Sequence, residues 1–152
     1  MKKDLLNELL QINSWALNLR KLDQETIYQP LAEHKWSIAE ILSHLMLWDR
    51  YILHERIPLM VPNASLKSDV NVSEMNSKAS EYTRSKVSFE EIINNLVDSR
   101  ERIVSILEHK TEDELSSTFK INNNELNLIS YFKGTVQHDE HHMQQINDFL
   151  KS

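Results

Sequence analysis

The chain has 152 residues, 40% of them hydrophobic and 26% charged, enough for one domain with a sizeable core. Its 23 acidic and 17 basic side chains give a formal charge of −6, which disfavours nonspecific nucleic-acid binding because phosphate contacts need a basic face. One glycine and three prolines argue for long helices over a turn-rich β architecture, and the lack of cysteine excludes disulfides, thiolate metal sites and a cysteine nucleophile.

The amino-terminal stretch MKKDLLNELLQINSW is too polar for a secretory core. No run approaches the ~20 apolar residues of a membrane span, so a cytoplasmic protein with no membrane partner is expected. Leu5, Leu6, Leu9, Ile12, Ala16 and Leu19 recur at helical spacing and predict a first helix over 3–21. The following DQETIYQPLAEHKWS has no sustained period and reads as a connection. A second helix begins at Ser37, with Glu40 three residues on in the capping-box pattern and Trp36 and Ile41 placed as a staple. Ile38, Ile41, Leu42, Leu45, Trp48 and Ile52 form its apolar face, and Pro58 limits it.

The segment 57–87 is too long for a bare loop, so a short helix is expected over 70–84. Ser88 and Glu91 repeat the start signal for a third long helix reaching His109. TEDEL opens a short turn, SSTFKINNN is irregular or weakly extended, and the last helix runs over 125–150. Four long amphipathic helices in a single domain, 1–152, predict an all-α four-helix bundle with a long crossover between the second and third.

Three of the chain's seven histidines fall within VQHDEHHMQQI. Stepping about 100° per residue from His138 places the apolar arc of the last helix at roughly 0° to 160°, with His142 near 40° and His141 near 300°. His138 and His142, one turn apart, therefore face inward, and His141 faces water. Two imidazoles at this spacing can share one metal ion. A third ligand must come from another helix, and His44, at the edge of the apolar stripe of the second helix, is best placed. A lone core histidine, as His44 could be, is more often simply hydrogen-bonded, whereas an apolar-face pair is rarer because each ring has a polar nitrogen to satisfy. Gly134, one turn before His138, leaves room for a ligand or for close helix packing. Asp139 is a polar intruder in the apolar arc, fitting either a partner of the site or an interface residue. Glu40 and Gln145 are candidates for orienting the histidines.

WSIAEILSHLMLWDRYIL, with its histidine after a Trp-Ser helix start, resembles the metal-bearing second helix of the DinB/YfiT-like superfamily. QHDEHHMQQI resembles that family's last helix, with its H-x-x-x-H pair and Gln-Ile ending. The resemblance runs through nearly the whole chain in helix order and spacing. It implies a metal bound at one end of a four-helix bundle, with His44, His138 and His142 as the ligands. Members described as metal-dependent hydrolases, bacillithiol transferases and mycothiol-dependent isomerases imply a hydrolase or a thiol S-transferase acting on a small molecule.

Three neutral nitrogens leave a zinc-like ion an open position for water or substrate. Either a water or a substrate thiol can be activated there, and without cysteine the thiol would be a separate low-molecular-weight substrate. All-histidine ligation disfavours Mg²⁺ and Ca²⁺ and admits Zn²⁺, Ni²⁺, Fe²⁺ or Mn²⁺, with Zn²⁺ or Ni²⁺ foremost. HDEHH also contains H-D-x-x-H, but Asp139 is one methylene short of the glutamate of the zinc-protease pattern, and nothing else in the chain fits that architecture. The enzyme reading predicts a solvent-reachable site with a pocket roofed by 57–87. The competing reading is a noncatalytic helical bundle that dimerises, with its metal structural or vestigial. A homodimer is expected under either.

Overall fold

The computed structural model describes residues 2–68 and 70–152. Four long helices form the bundle: α1 (Lys2–Asn18), α3 (Ile38–Tyr51), α5 (Phe89–Glu108) and α7 (Leu128–Lys151). Three shorter helices lie between them, α2 (Gln24–Tyr28), α4 (Val72–Arg84) and α6 (Glu112–Ser116). The apolar residues read from the sequence supply the core. Ile12 and Ala16 of α1 pack with Ile41, Leu42 and Leu45 of α3 and with Ile92, Ile93 and Leu96 of α5, all essentially inaccessible to water.

The helices begin where their caps stand. Ser37 and Glu40 form both halves of a capping box on α3. On α5 the Ser88 hydroxyl accepts from the Glu91 amide at 3.1 Å, without a return bond from the Glu91 side chain. α4 is the helix expected in the long crossover, capped by Asn71. α3 continues through a π turn, Ile52–Arg56, and a 3₁₀ turn, Ile57–Leu59, before the chain leaves the bundle. π turns add one residue to the helical repeat and recur beside functional sites.

Three local expectations are corrected. The connection after the first helix contains α2, whose Asp23 cap accepts from the Thr26 amide at 2.8 Å; five residues are too few to show a period. TEDEL is a capped single turn of helix, with Thr111 and Glu114 in a capping box. The last helix starts at Leu128 and not near Glu125, because Asn124–Leu126 form a strand. That strand, β3, pairs antiparallel with β2 (Phe119–Ile121), which in turn pairs parallel with β1 (Ser65–Leu66). Asn127 then caps α7, its side chain accepting from the Ser130 amide at 2.8 Å.

α1 packs closely on α5 and α7, and α3 on α5 and α4, whereas α3 and α7 meet sparsely. Of the helix pairs α1–α5, α3–α5, α1–α7 and α3–α7, the last forms the loosest seam. No described helix is long and apolar enough to cross a membrane.

Candidate metal centre

α3 carries His44 into the α3–α7 seam from one side, and α7 brings His138 and His142 from the other. Nε2 of His138 lies 3.3 Å from Nε2 of His44 and 3.3 Å from Nε2 of His142. The three ligand nitrogens all fall within 4.8 Å of one another. Nitrogens bound at ~2.0–2.1 Å to a tetrahedral centre stand about 3.3 Å apart, so the spacing around His138 is what a common ion requires.

His44 is the buried member at 7% exposure, His142 is half-buried and His138 is exposed. The wheel had placed both α7 histidines inside the apolar arc. In the fold the core arc of α7 is carried by Leu128, Phe132, Val136, Asp139 and Ile146, and the two histidines sit on its flank, facing α3. His141 is exposed; its ring stands 5.0 Å from that of His142 and it takes no part in the nitrogen cluster.

The second nitrogens have amide neighbours. Nδ1 of His142 is 3.0 Å from Oε1 of Gln145, so that ring donates from Nδ1 and keeps the Nε2 lone pair for the cluster. Gln145, a candidate for orienting the histidines, therefore serves His142. Asn76 of α4 approaches the His44 ring. Nδ1 of His44 and Oδ1 of Asn76 are both buried without a hydrogen-bond partner. Each is the natural partner of the other, and closing that contact gives His44 the same tautomer as His142.

Burial depresses the pKa of His44 to about 3, with further lowering by His142 and His138 and a small opposing push from Asn76. Burial likewise brings His142 to about 4, against the hydrogen bond it donates to Gln145. His138 is lowered too, first by desolvation and then by the charges of His141 and Arg100. All three rings are neutral at neutral pH, the form that binds metal. With the proton on Nδ1 in His142, and in His44 once it bonds Asn76, two Nε2 lone pairs face His138, whose single N–H can satisfy only one. A cation at the centre satisfies all three. The donor set fits a divalent transition metal.

The surroundings are aromatic. The Trp36 ring lies 4.9 Å from that of His44, and Trp48 meets it edge-on at 6.2 Å. Glu40 makes no bond to the histidines; its carboxylate caps α3 and accepts from the Ser80 hydroxyl at 2.9 Å, tying α4 to α3. The segment 57–87 thus supports the site through α4, on the His44 side. On the His138 side a cleft of about 380 Å³ opens between α3 and α7, lined by no residue of that segment.

Asp139 bonds no histidine. It is 3% exposed and ion-pairs with Arg100, itself 1% exposed and also paired with Asp49. Sequence reasoning missed this triad, although an arginine and an aspartate inside the apolar stripes of α5 and α3 are a readable signal. Asn76 was missed as well, although it shares the face of α4 that carries Val72, Met75 and Ala79.

The sequence profile of the DinB superfamily matches residues 11–146, and the chain belongs to that superfamily. Among solved structures the fold is similar to YfiT of Bacillus subtilis, described as a probable metal-dependent hydrolase with an unusual four-helix bundle topology. The TM-score is 0.69 at 13% identity, with 99% of this chain and 86% of that one covered. No curated protein matches the sequence.

Proposed function

We propose that this protein is a divalent-metal-dependent enzyme whose His44, His138 and His142 hold Zn²⁺ or Ni²⁺, acting on a small molecule as a hydrolase or a thiol S-transferase. The observation that carries the reading is the convergence of three neutral Nε2 atoms at about the spacing of ligands on one ion. Structural zinc sites normally close with four protein ligands, and no fourth ligating side chain joins these three among the described residues.

A metal held there supplies an open coordination position that lowers the pKa of a water or a thiol into the neutral range. The chain's own residues do the rest. Gln145 holds His142 in the tautomer that presents Nε2, Asn76 is placed to do the same for His44, and Trp36 and Trp48 shield the His44 side from water. No side chain of the protein can act as the thiol, so S-transfer would use a thiol from solution.

Metal content by plasma mass spectrometry, on untagged protein, tests the reading. About one equivalent is expected in wild type and in His141→Ala, and none in His142→Ala. No metal in wild type after incubation with Zn²⁺ and Ni²⁺ would overturn it. On loaded protein, turnover of ester or amide substrates without added thiol favours hydrolysis; turnover of an electrophile only with added thiol favours transfer.

A further inference from the structure

Gly134 is the only glycine in the chain, and it sits inside α7, one turn before His138. A glycine in a helix is unfavourable relative to alanine, because it surrenders more backbone freedom and packs no side chain. Three circumstances commonly keep one there: a positive φ, a neighbour too close for a Cβ, or a space that must stay open. Gly134 does not have a positive φ. A Cβ built on it meets nothing within 4 Å, so close helix packing does not explain it either. The third circumstance has a counterpart in the fold, since Gly134 lines the cleft of about 380 Å³ whose wall runs on to His138.

We infer that this cleft is a subsite of the metal centre, kept open by Gly134, and that it takes the apolar, uncharged part of the substrate. The inference rests on reading the three histidines as a metal centre. Its volume lies in the range of small-molecule pockets, ~300–1,000 Å³. Leu45, Trp48, Ile52 and Tyr131 give it a largely apolar wall. Asp49 and Asp139 also reach it, but both are bonded to the single guanidinium of Arg100. Two carboxyl groups facing one guanidinium leave no spare positive charge to pair with an anion. The Arg56 guanidinium lies over the Tyr131 ring at 5.9 Å, and its positive charge offsets the excess of the two carboxyls, disfavouring a cation.

The cleft can be read directly by nuclear magnetic resonance on the ¹⁵N-labelled chain. Its three tryptophans give three indole N–H signals, and Trp48→Phe identifies the one in the cleft wall. Benzamide is the neutral probe and benzoate its anionic counterpart. The expected result is a saturable shift of the Trp48 signal by benzamide, with a Kd on the order of 1 mM, as ligand efficiency allows for so small a molecule. Benzoate is expected to bind at least ~10-fold more weakly, a difference of electrostatic selection. Gly134→Leu should abolish the benzamide shift and Gly134→Ala should weaken it, both with wild-type metal content.

No saturable shift in wild type overturns the inference, and so does wild-type benzamide affinity in Gly134→Leu. Equal binding of benzoate overturns the assignment to an uncharged group. Should Gly134→Leu fail to fold, unchanged affinity in Gly134→Ala overturns it instead. The Trp48 signal is readable with and without metal, which separates the two failures. Normal metal content with an unresponsive Trp48 sinks the subsite alone, whereas absence of metal with a responsive Trp48 sinks the metal centre.

Discussion

His44 and His142 each turn Nε2 toward His138; Nδ1 of His142 is bonded to Gln145 and Asn76 approaches the His44 ring, so the groups that set their tautomers lie outside the cluster itself. Removing such a partner typically costs 10–100-fold in metal affinity. Gln145→Leu is therefore expected to weaken Zn²⁺ binding by about that factor while leaving one site per chain, measured by competition with a chromophoric chelator. Unchanged affinity would show that packing alone orients His142. The same residues set an acid limit. His44 and His142, at about 3 and about 4 when folded, lie below the ordinary histidine value near 6.5. Below 6.5 the unfolded chain binds protons that the folded chain refuses, so their contribution is complete above 6.5 and falls as pH drops toward about 3. The urea midpoint of metal-free protein should decline across that window. In His44→Leu the decline should be shallower; an equal slope would assign the acid sensitivity to other groups.

At the scale of elements, the four long helices were legible because each carries an apolar stripe over three or more turns and begins at a recognisable cap. Ser37, with its reciprocal Glu40, marks the start of α3 unambiguously, and the i, i+4 pair on α7 pointed to the site. The start of α7 was misread because Glu125 and Leu126 suit a helix locally, whereas pairing with Phe119–Ile121 claims them for a strand. That pairing is nonlocal and leaves no periodic trace. Nor does periodicity locate the flank on which His138 lies, since Asp139, apparently out of place, is in fact at the middle of the buried arc. Asn127 is the residue that separates strand from helix. Asn127→Ala should cost about 1 kcal/mol, seen as a lower urea midpoint with unchanged slope, and should leave metal stoichiometry intact because the histidines are more than two turns away. A loss of metal in that variant would mean that the end of α7 is coupled to its middle.

Across the whole molecule, one side chain touches all four bundle helices. Arg100 of α5 donates to the Leu9 carbonyl of α1 at 2.8 Å, to both carboxylate oxygens of Asp49 of α3 at 2.8 and 2.9 Å, and to those of Asp139 of α7 at 2.6 and 3.1 Å. These bonds use all five N–H groups of the guanidinium. Burial works against its charge, but the two carboxyl groups prevail and keep it protonated. Burial is costly for the carboxyls as well, and their pKa values are pushed up despite Arg100. Such a network adds little net stability over apolar packing, yet breaking it from one side is expensive. Arg100→Met should destabilise by about 3–5 kcal/mol, because it strands two buried carboxyls. The combined replacement Arg100→Met, Asp49→Leu, Asp139→Leu should recover most of that loss in urea unfolding. What apolar side chains lack is direction. Asp49 is little more than one turn beyond His44, and Asp139 adjoins His138, so the guanidinium fixes α3 against α7 where the histidines must meet. The apolar triple variant should therefore regain wild-type stability and still bind Zn²⁺ at least ~10-fold more weakly, as expected when a site loses the support that orients it. Recovery of both stability and affinity would show the network to be a replaceable part of the core, with the alignment of His44 and His138 carried by packing between α3, α5 and α7.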